Sequence, residues 1–271
     1  MNVDPADAAY VHALMERTGG HDAGSGRDFI VASRLGPLAS ELGFESVAAL
    51  VTAVRTGDVR AQRQVVDAMT NNETFFFRDN HPFEALRTHI IPDLLAGGRR
   101  ALTVWSAAAA TGQEAYSVAM LMREDFPLAP APRIIASDIA DSVIARATTG
   151  RFNQLEVNRG LPARLLVKYF RQDGRAWQID DSLRATIDFR TLNLVGPWPP
   201  LPAMDIILLR NVLIYFTPAA RKDVLRRVIA ALRPGGYLIL GSTESLMVDS
   251  TAVERVTFGR TLCFRALTKE A

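Results

Sequence analysis

The chain has 271 residues, with 31 basic against 29 acidic side chains, a formal net charge of +2 and one cysteine. That length can bury one large core and a small one. The near balance of charge argues against nucleic acid as the main partner, and the lone Cys263 excludes an intramolecular disulfide and a cysteine-cluster metal site. His12, His21, His81 and His89 lack metal-ligand spacing and read as surface or capping residues, so no metal is expected. No apolar run approaches the ~18 residues of a membrane span. The opening Met1-Asn-Val-Asp-Pro-Ala-Asp7 has neither the basic flank nor the apolar centre of a signal peptide. A cytoplasmic protein without membrane insertion is expected.

The first seventy residues carry helical periodicity. Val47, Leu50, Val51 and Val54 fall on one helical face, as do Leu35, Leu38 and Leu42. Glycines at 19, 20, 24, 26, 36, 43 and 57 cut the stretch into three or four short helices. A longer helix is predicted from Asp79-Asn80-His81-Pro82, with Asp79 or Asn80 as its cap and Pro82 in its first turn. Its buried face would be Phe83, Leu86, Ile90 and Leu94, with a kink or restart at Pro92 and a stop at Gly97-Gly98.

From Leu102 strands alternate with helices. Strand-like runs occupy 102–106, 133–138, 204–209 and 236–241, and helical stretches 114–124, 141–148 and 218–232. Ala115, Val118, Ala119 and Met122 form one apolar stripe; Val224, Leu225, Val228, Ile229 and Leu232 form another, behind a Thr217 cap and Pro218. Ala252–Phe258 and Thr261–Ala266, joined by Gly259-Arg260, suit a closing hairpin. The fold class is therefore α/β: a small N-terminal helical domain over residues 1–75, then a doubly wound, mostly parallel sheet over 76–271, with ligands held at the carboxyl ends of its strands. Between about 150 and 192 the alternation breaks. A helix over Leu161–Phe170 and strand-like runs at Ala176–Ile179 and Arg184–Phe189 suggest a small inserted β-subdomain beside the site.

Four segments carry candidate chemistry. Thr103 to Tyr116 is a strand-turn-helix junction with a run of small side chains and an acidic residue, Glu114, opening the helix. It has one glycine where a dinucleotide fingerprint has three, and no Lys-Ser or Lys-Thr follows, which favours a sugar-and-base cofactor without phosphates; a merely tight turn explains the segment almost as well. Asp138 ends the second strand, where a carboxylate can accept from a ribose diol or cap the next helix. Thr70 to Asp79 sets three phenylalanines beside Arg78, either a segment folded over a ligand with Arg78 aimed inward at a negative charge, or domain-packing aromatics with a surface arginine. The strand from Asp205 ends in Arg210-Asn211, with Tyr215 free to enter the same cleft or to bond backbone.

Taken together, Asn72-Glu-Thr-Phe-Phe-Phe-Arg78, Trp105-Ser-Ala with Thr111-Gly-Gln-Glu-Ala-Tyr-Ser117, Ala136-Ser-Asp-Ile139, Asn193-Leu194, Arg210-Asn-Val-Leu-Ile-Tyr-Phe216, Leu232-Arg-Pro-Gly-Gly-Tyr-Leu238 and Gly241-Ser-Thr-Glu-Ser245 resemble the CheR-type chemotaxis receptor methyltransferases. The likeness spans most of the chain, in order. It implies a Rossmann-like class I methyltransferase that uses S-adenosylmethionine, releases S-adenosylhomocysteine, and esterifies glutamates on the cytoplasmic domain of chemoreceptors (methyl-accepting chemotaxis proteins), acting as a monomer. By position it places Asn72, Thr74 and Arg78 against the methionine portion and reacting centre. Glu114, Asp138, Asn193, Leu194, Arg210 and Asn211 surround the rest of the cofactor, and the inserted subdomain looks like the family's receptor-docking unit. Arg78 and Tyr215 are the expected catalytic residues, Arg78 holding the target carboxylate and Tyr215 orienting it. Three departures stand out: Gln113 where the family usually has glutamate, Ala115 where it has proline, and only Arg27 and Arg34 where it often has a denser basic face. Two other readings compete: a non-catalytic module that binds this cofactor or its product, and a small-molecule methyltransferase of the same fold.

Overall fold

The computed structural model describes residues 3–22, 28–244, 247–248 and 250–267. Gly24, Gly26, Arg27 and Ser245 lie outside them. Four helices open the chain: α1 (Pro5–Gly19), α2 (Asp28–Glu41), α3 (Val47–Arg55) and α4 (Val59–Met69). Each start with a free polar side chain is capped by it: Asp4 accepts from the Ala6 N–H at 2.7 Å, Ser46 from Ala49 at 3.2 Å and Asp58 from Ala61 at 2.9 Å. The predicted faces meet in a core of their own, where Leu35, Leu50, Val51 and Val54 are buried and Leu38, Leu42 and Val47 pack at its margin.

The helix expected after Asp79 is three pieces: α5 (His81–Ala85), a π-turn over Leu86–Ile90, and α6 (Ile91–Ala96). Pro92 has no N–H for the ladder, and the wider turn before it absorbs the break. The expected cap is absent. Asn80 holds the cap position at φ 52° without a side-chain bond, and Asp79 is drawn away to Arg210.

The main sheet contains β1 (Thr103–Ala107), β2 (Arg133–Asp138), β6 (Ile187–Thr191), β7 (Met204–Leu209), β8 (Leu232–Leu240), β9 (Val253–Phe258) and β10 (Thr261–Ala266). Their order is β6-β2-β1-β7-β8-β10-β9. The first five are parallel and the last two form the predicted antiparallel hairpin. Apolar runs buried on both faces, such as Met204–Leu209, suit central parallel strands. α7 (Gln113–Asp125) packs on one face; α12 (Pro218–Ala230), capped by Thr217 with Pro218 in its first turn, packs on the other. α8 (Asp141–Thr149) joins β2 to the inserted segment. The stripe residue Leu232 belongs to β8, not to α12, because it pairs with Met204.

The insertion holds β3 (Arg151–Asn153), α9 (Gln154–Asn158), α10 (Ala163–Tyr169), β4 (Phe170–Asp173), β5 (Ala176–Ile179) and α11 (Asp181–Arg184). Three of these make a separate antiparallel sheet, β3-β5-β4. The run read at 184–189 is different. Its strand spans 187–191 and pairs in parallel with β2, so it belongs to the main sheet.

Candidate active site

A cleft lies at the carboxyl ends of the parallel strands, beneath the end of α1 and the segment 70–78. It encloses about 790 Å³ including the open solvent at its mouth. Asn72, Thr74, Arg78, Glu114, Asp138, Asn193, Leu194, Arg210, Asn211 and Tyr215 all line it. Ten residues spread over 144 positions of sequence thus meet in one cavity.

The floor is a network of buried charges. Glu114, in the first turn of α7, accepts from Ser106 Oγ at 2.7 Å and from Arg210 Nη1 at 2.9 Å. Arg210 also donates through Nη2 to Asp79 Oδ2 at 2.7 Å and to the Arg78 carbonyl at 2.9 Å, so it ties β7, α7 and the 78–79 turn together. Its side chain is only 2% exposed, and a guanidinium so desolvated demands this pairing. Asp138 accepts from the Ala110 N–H at 2.9 Å and the Ala140 N–H at 3.1 Å. Burial raises its carboxyl above the usual range, an effect these N–H groups oppose.

The cover is looser. Arg78 donates from Nη1 to the Glu73 carbonyl at 2.8 Å and lies 5.5 Å from the Phe75 ring centre. It lines the cleft. Phe76 is the aromatic that packs the core, against Phe152 and Phe170. The Tyr215 hydroxyl accepts from Asn71 Nδ2. Asn193 Oδ1 accepts from the Val195 N–H at 2.9 Å while its Nδ2 reaches the Thr18 carbonyl. Arg227 straps the same loop through the carbonyls of Leu194 at 3.1 Å and Gly196 at 2.7 Å.

Backbone geometry marks the same places. Among the described residues the non-glycine positions with left-handed φ are Phe77, Asp79, Asn80, Ala108, Ala110 and Asn211. Each costs backbone energy that the surroundings must hold; Ala108, Ala110 and Asn211 line the cleft itself, and Phe77, Asp79 and Asn80 lie at or just beyond the end of the segment 70–78. The run of alanines after β1 therefore has a conformational as well as a steric role.

The description "CheR methyltransferase, SAM binding domain" matches residues 72–262. The chain belongs to the CheR methyltransferase family. Chemotaxis protein methyltransferase 1 of Pseudomonas aeruginosa is 37% identical over 253 residues, covering 91% of this chain and 92% of that protein. Chemotaxis protein methyltransferase 1 of Vibrio cholerae is 39% identical over 230 residues, covering 82% and 83%. This CheR methyltransferase is an S-adenosylmethionine-dependent enzyme of chemotactic adaptation.

The positions read above as departures sit in well-defined local surroundings. Gln113 is buried and accepts from Thr111 Oγ1 at 2.8 Å, a bond that shapes the turn before α7. Ala115 is fully buried against the sheet. Arg34 does not serve a basic face: its Nη1 donates to the carbonyls of Met69 at 2.7 Å and Thr70 at 2.6 Å, closing the end of α4.

Three residues of the site escaped the sequence reading. Glu244, fully buried, accepts from the N–H groups of Asn211 at 2.6 Å, Leu213 at 2.6 Å and Gly241 at 2.9 Å, and so builds the loop that carries Tyr215. Its place in the Gly241-Ser-Thr-Glu244 motif was visible; its role was not. His21, read as a surface or capping residue, lines the cleft and packs edge-on against Phe216. Burial lowers its pKa, partly offset by the Met15 carbonyl. Asn71 is the third.

Among the described residues no helix is long and apolar enough to cross a membrane. No cluster of three or more His, Cys, Asp or Glu side chains among them could hold a metal.

Proposed function

We propose that this cleft holds S-adenosylmethionine and that the enzyme esterifies glutamate side chains on the cytoplasmic helices of chemoreceptors, releasing S-adenosylhomocysteine. The observation that carries the reading is the convergence of all ten site residues on one cavity with a buried carboxylate at its floor. The donor set suits the cofactor. Asp138 can accept from ribose hydroxyls. Asn211 Oδ1 and Arg210 Nε are buried and find no partner among the described residues, and both residues line the cavity; unpaired buried polar atoms mark a place where a ligand completes the bonding. Glu114, Asn193 and Leu194 complete the enclosure, and Asn72, Thr74 and Arg78 lie toward the reacting centre.

The bound cofactor supplies an electrophilic methyl group. A glutamate side chain, with an unperturbed pKa of about 4.3, is already ionised at neutral pH, so no general base is required. What the chain must provide is alignment and exclusion of water. In this reading Arg78 binds the acceptor carboxylate through the guanidinium donors that Glu73 does not use. Tyr215 orients the same carboxylate by a hydrogen bond. The inserted subdomain, which exposes Leu155 and Val167, offers the receptor a docking surface. A cytoplasmic monomer is the form this reading carries.

The test is direct. Incubation with methyl-labelled cofactor and receptor cytoplasmic fragments should yield label released as methanol by base. Absence of label on every receptor fragment, with cofactor binding intact by calorimetry, would overturn the reading.

A further inference from the structure

Asn71 follows α4 by two residues and has no role in the scheme above, yet its side chain is bonded to the Tyr215 hydroxyl. Its own position is well fixed. The preceding Thr70 N–H donates to the Val66 carbonyl at 3.1 Å, and the Thr70 carbonyl accepts from Arg34 Nη1 at 2.6 Å. Tyr215 is fixed through its backbone: its N–H donates to the Val212 carbonyl at 3.0 Å and its carbonyl accepts from the Asp22 N–H at 2.7 Å. Backbone anchors of this kind leave the tyrosine side chain free to swing. The Asn71 amide is what holds its far end.

The bond also has a polarity. A tyrosine hydroxyl can accept and can donate one proton. Asn71 Nδ2 occupies it as an acceptor, so its proton stays available, and no acceptor for that proton occurs among the described residues. Asn71 and Tyr215 both line the cofactor cleft, and both line a second cavity walled by His12, Met15, Ile30 and Met69. The pair stands where the two spaces meet.

We infer that Asn71 is a positioning residue for methyl transfer, turning the Tyr215 phenol into a hydrogen-bond donor aimed at the incoming acceptor carboxylate. This rests on the reading of Tyr215 as the group that orients the acceptor. An amide fits the task better than a carboxylate. Aspartate at position 71 would accept the phenol's hydrogen bond itself and repel a second carboxylate.

A double-mutant cycle in the full-length enzyme, with a receptor cytoplasmic fragment as acceptor, tests this. Asn71→Ala should lower kcat about five- to tenfold, the size of one lost neutral hydrogen bond. Calorimetric cofactor affinity, KM for the receptor fragment and Tm should change little. In a Tyr215→Phe background the same substitution should lower kcat by less than about twofold, since the partner hydroxyl is gone. Asn71→Asp should be at least as slow as Asn71→Ala. An equal fall in both backgrounds, no fall in the native one, or an unimpaired Asn71→Asp would each overturn the inference and leave the Tyr215 reading standing. A Tyr215→Phe enzyme with undiminished kcat would instead overturn the Tyr215 reading, and this inference with it.

Discussion

The floor and the cover of the cleft are built on different principles. On the floor, Arg210, Glu114, Asp138 and Glu244 are buried and multiply bonded, two of them to backbone N–H groups that cannot swing away. On the cover, Glu73 pairs with Arg159 while both side chains are more than half exposed, and Arg78 keeps one hydrogen bond to a neighbouring carbonyl. Exposed pairs contribute about 0–1 kcal/mol, whereas a buried polar group deprived of its partners costs about 1–3 kcal/mol. The floor is thus prepared before any ligand arrives, and the cover is free to adjust to two successive partners. In the proposed reading, the cofactor common to all turnovers would meet the rigid half, and the protein acceptor the adaptable one.

The sharpest way to break this contrast is to attack the floor where no ligand contact is expected. Glu244→Ala strands the N–H groups of Asn211, Leu213 and Gly241. It should destabilise the protein by at least about 3 kcal/mol in urea unfolding and abolish cofactor binding. A loss below about 1 kcal/mol would mean the 211–214 loop does not depend on this carboxylate.

On the cover the expected effect is kinetic. Arg78→Ala should reduce kcat about 10²-fold with cofactor affinity changed by no more than about threefold and Tm unmoved, the signature of an interaction felt in the transition state. Equal losses in kcat and cofactor affinity would place Arg78 with the floor. Asp138→Ala gives the reverse pattern. It should weaken cofactor binding by calorimetry about 10- to 100-fold, the scale of hydrogen bonds to a charged acceptor. An unchanged affinity would move the ribose elsewhere.

The same division explains what could be read before the fold was seen. The helix α12 announces itself through Thr217, Pro218 and an apolar stripe, and Asp138 through its place at a strand end, because these signals are local. Asp79 misleads for the opposite reason: a good capping residue by type, it is claimed by Arg210, 131 positions away. Glu244 fits the same account, since two of the N–H groups it serves, on Leu213 and Asn211, lie 31 and 33 positions back. β3 and β4, of three and four residues, are too short to show alternation. The strand at 187–191 has only one fully buried residue, so its pattern alone could not assign it to the main sheet rather than to the insertion; pairing with β2 does that. What remained hidden in the cover, Asn71 and His21, depends on contacts between the helical region and the loop after β7, which no single segment encodes.

His21 offers the smallest and most specific test of where floor ends and cover begins. Its ring is packed edge-on against Phe216, with centroids 5.8 Å apart, and burial holds its pKa below the ordinary histidine value of about 6.5. The unfolded chain takes up a proton near that value and the folded one does so only at lower pH. Stability supplied by the neutral ring is therefore complete above about pH 6.5 and lost as the pH falls below it. His21→Phe keeps an aromatic ring against Phe216 and removes the titration. Between about pH 7.5 and pH 5.5 the wild type should lose up to about 1 kcal/mol more than the variant. His81, also lowered by burial, titrates in both proteins and cancels from the difference. Parallel losses in the two proteins would show that His21 reaches solvent as freely as Glu73 and belongs to the adaptable half. A difference of the expected sign would place the end of α1 with the prepared floor, and would mean that the helical region helps to build the cofactor site before any receptor arrives.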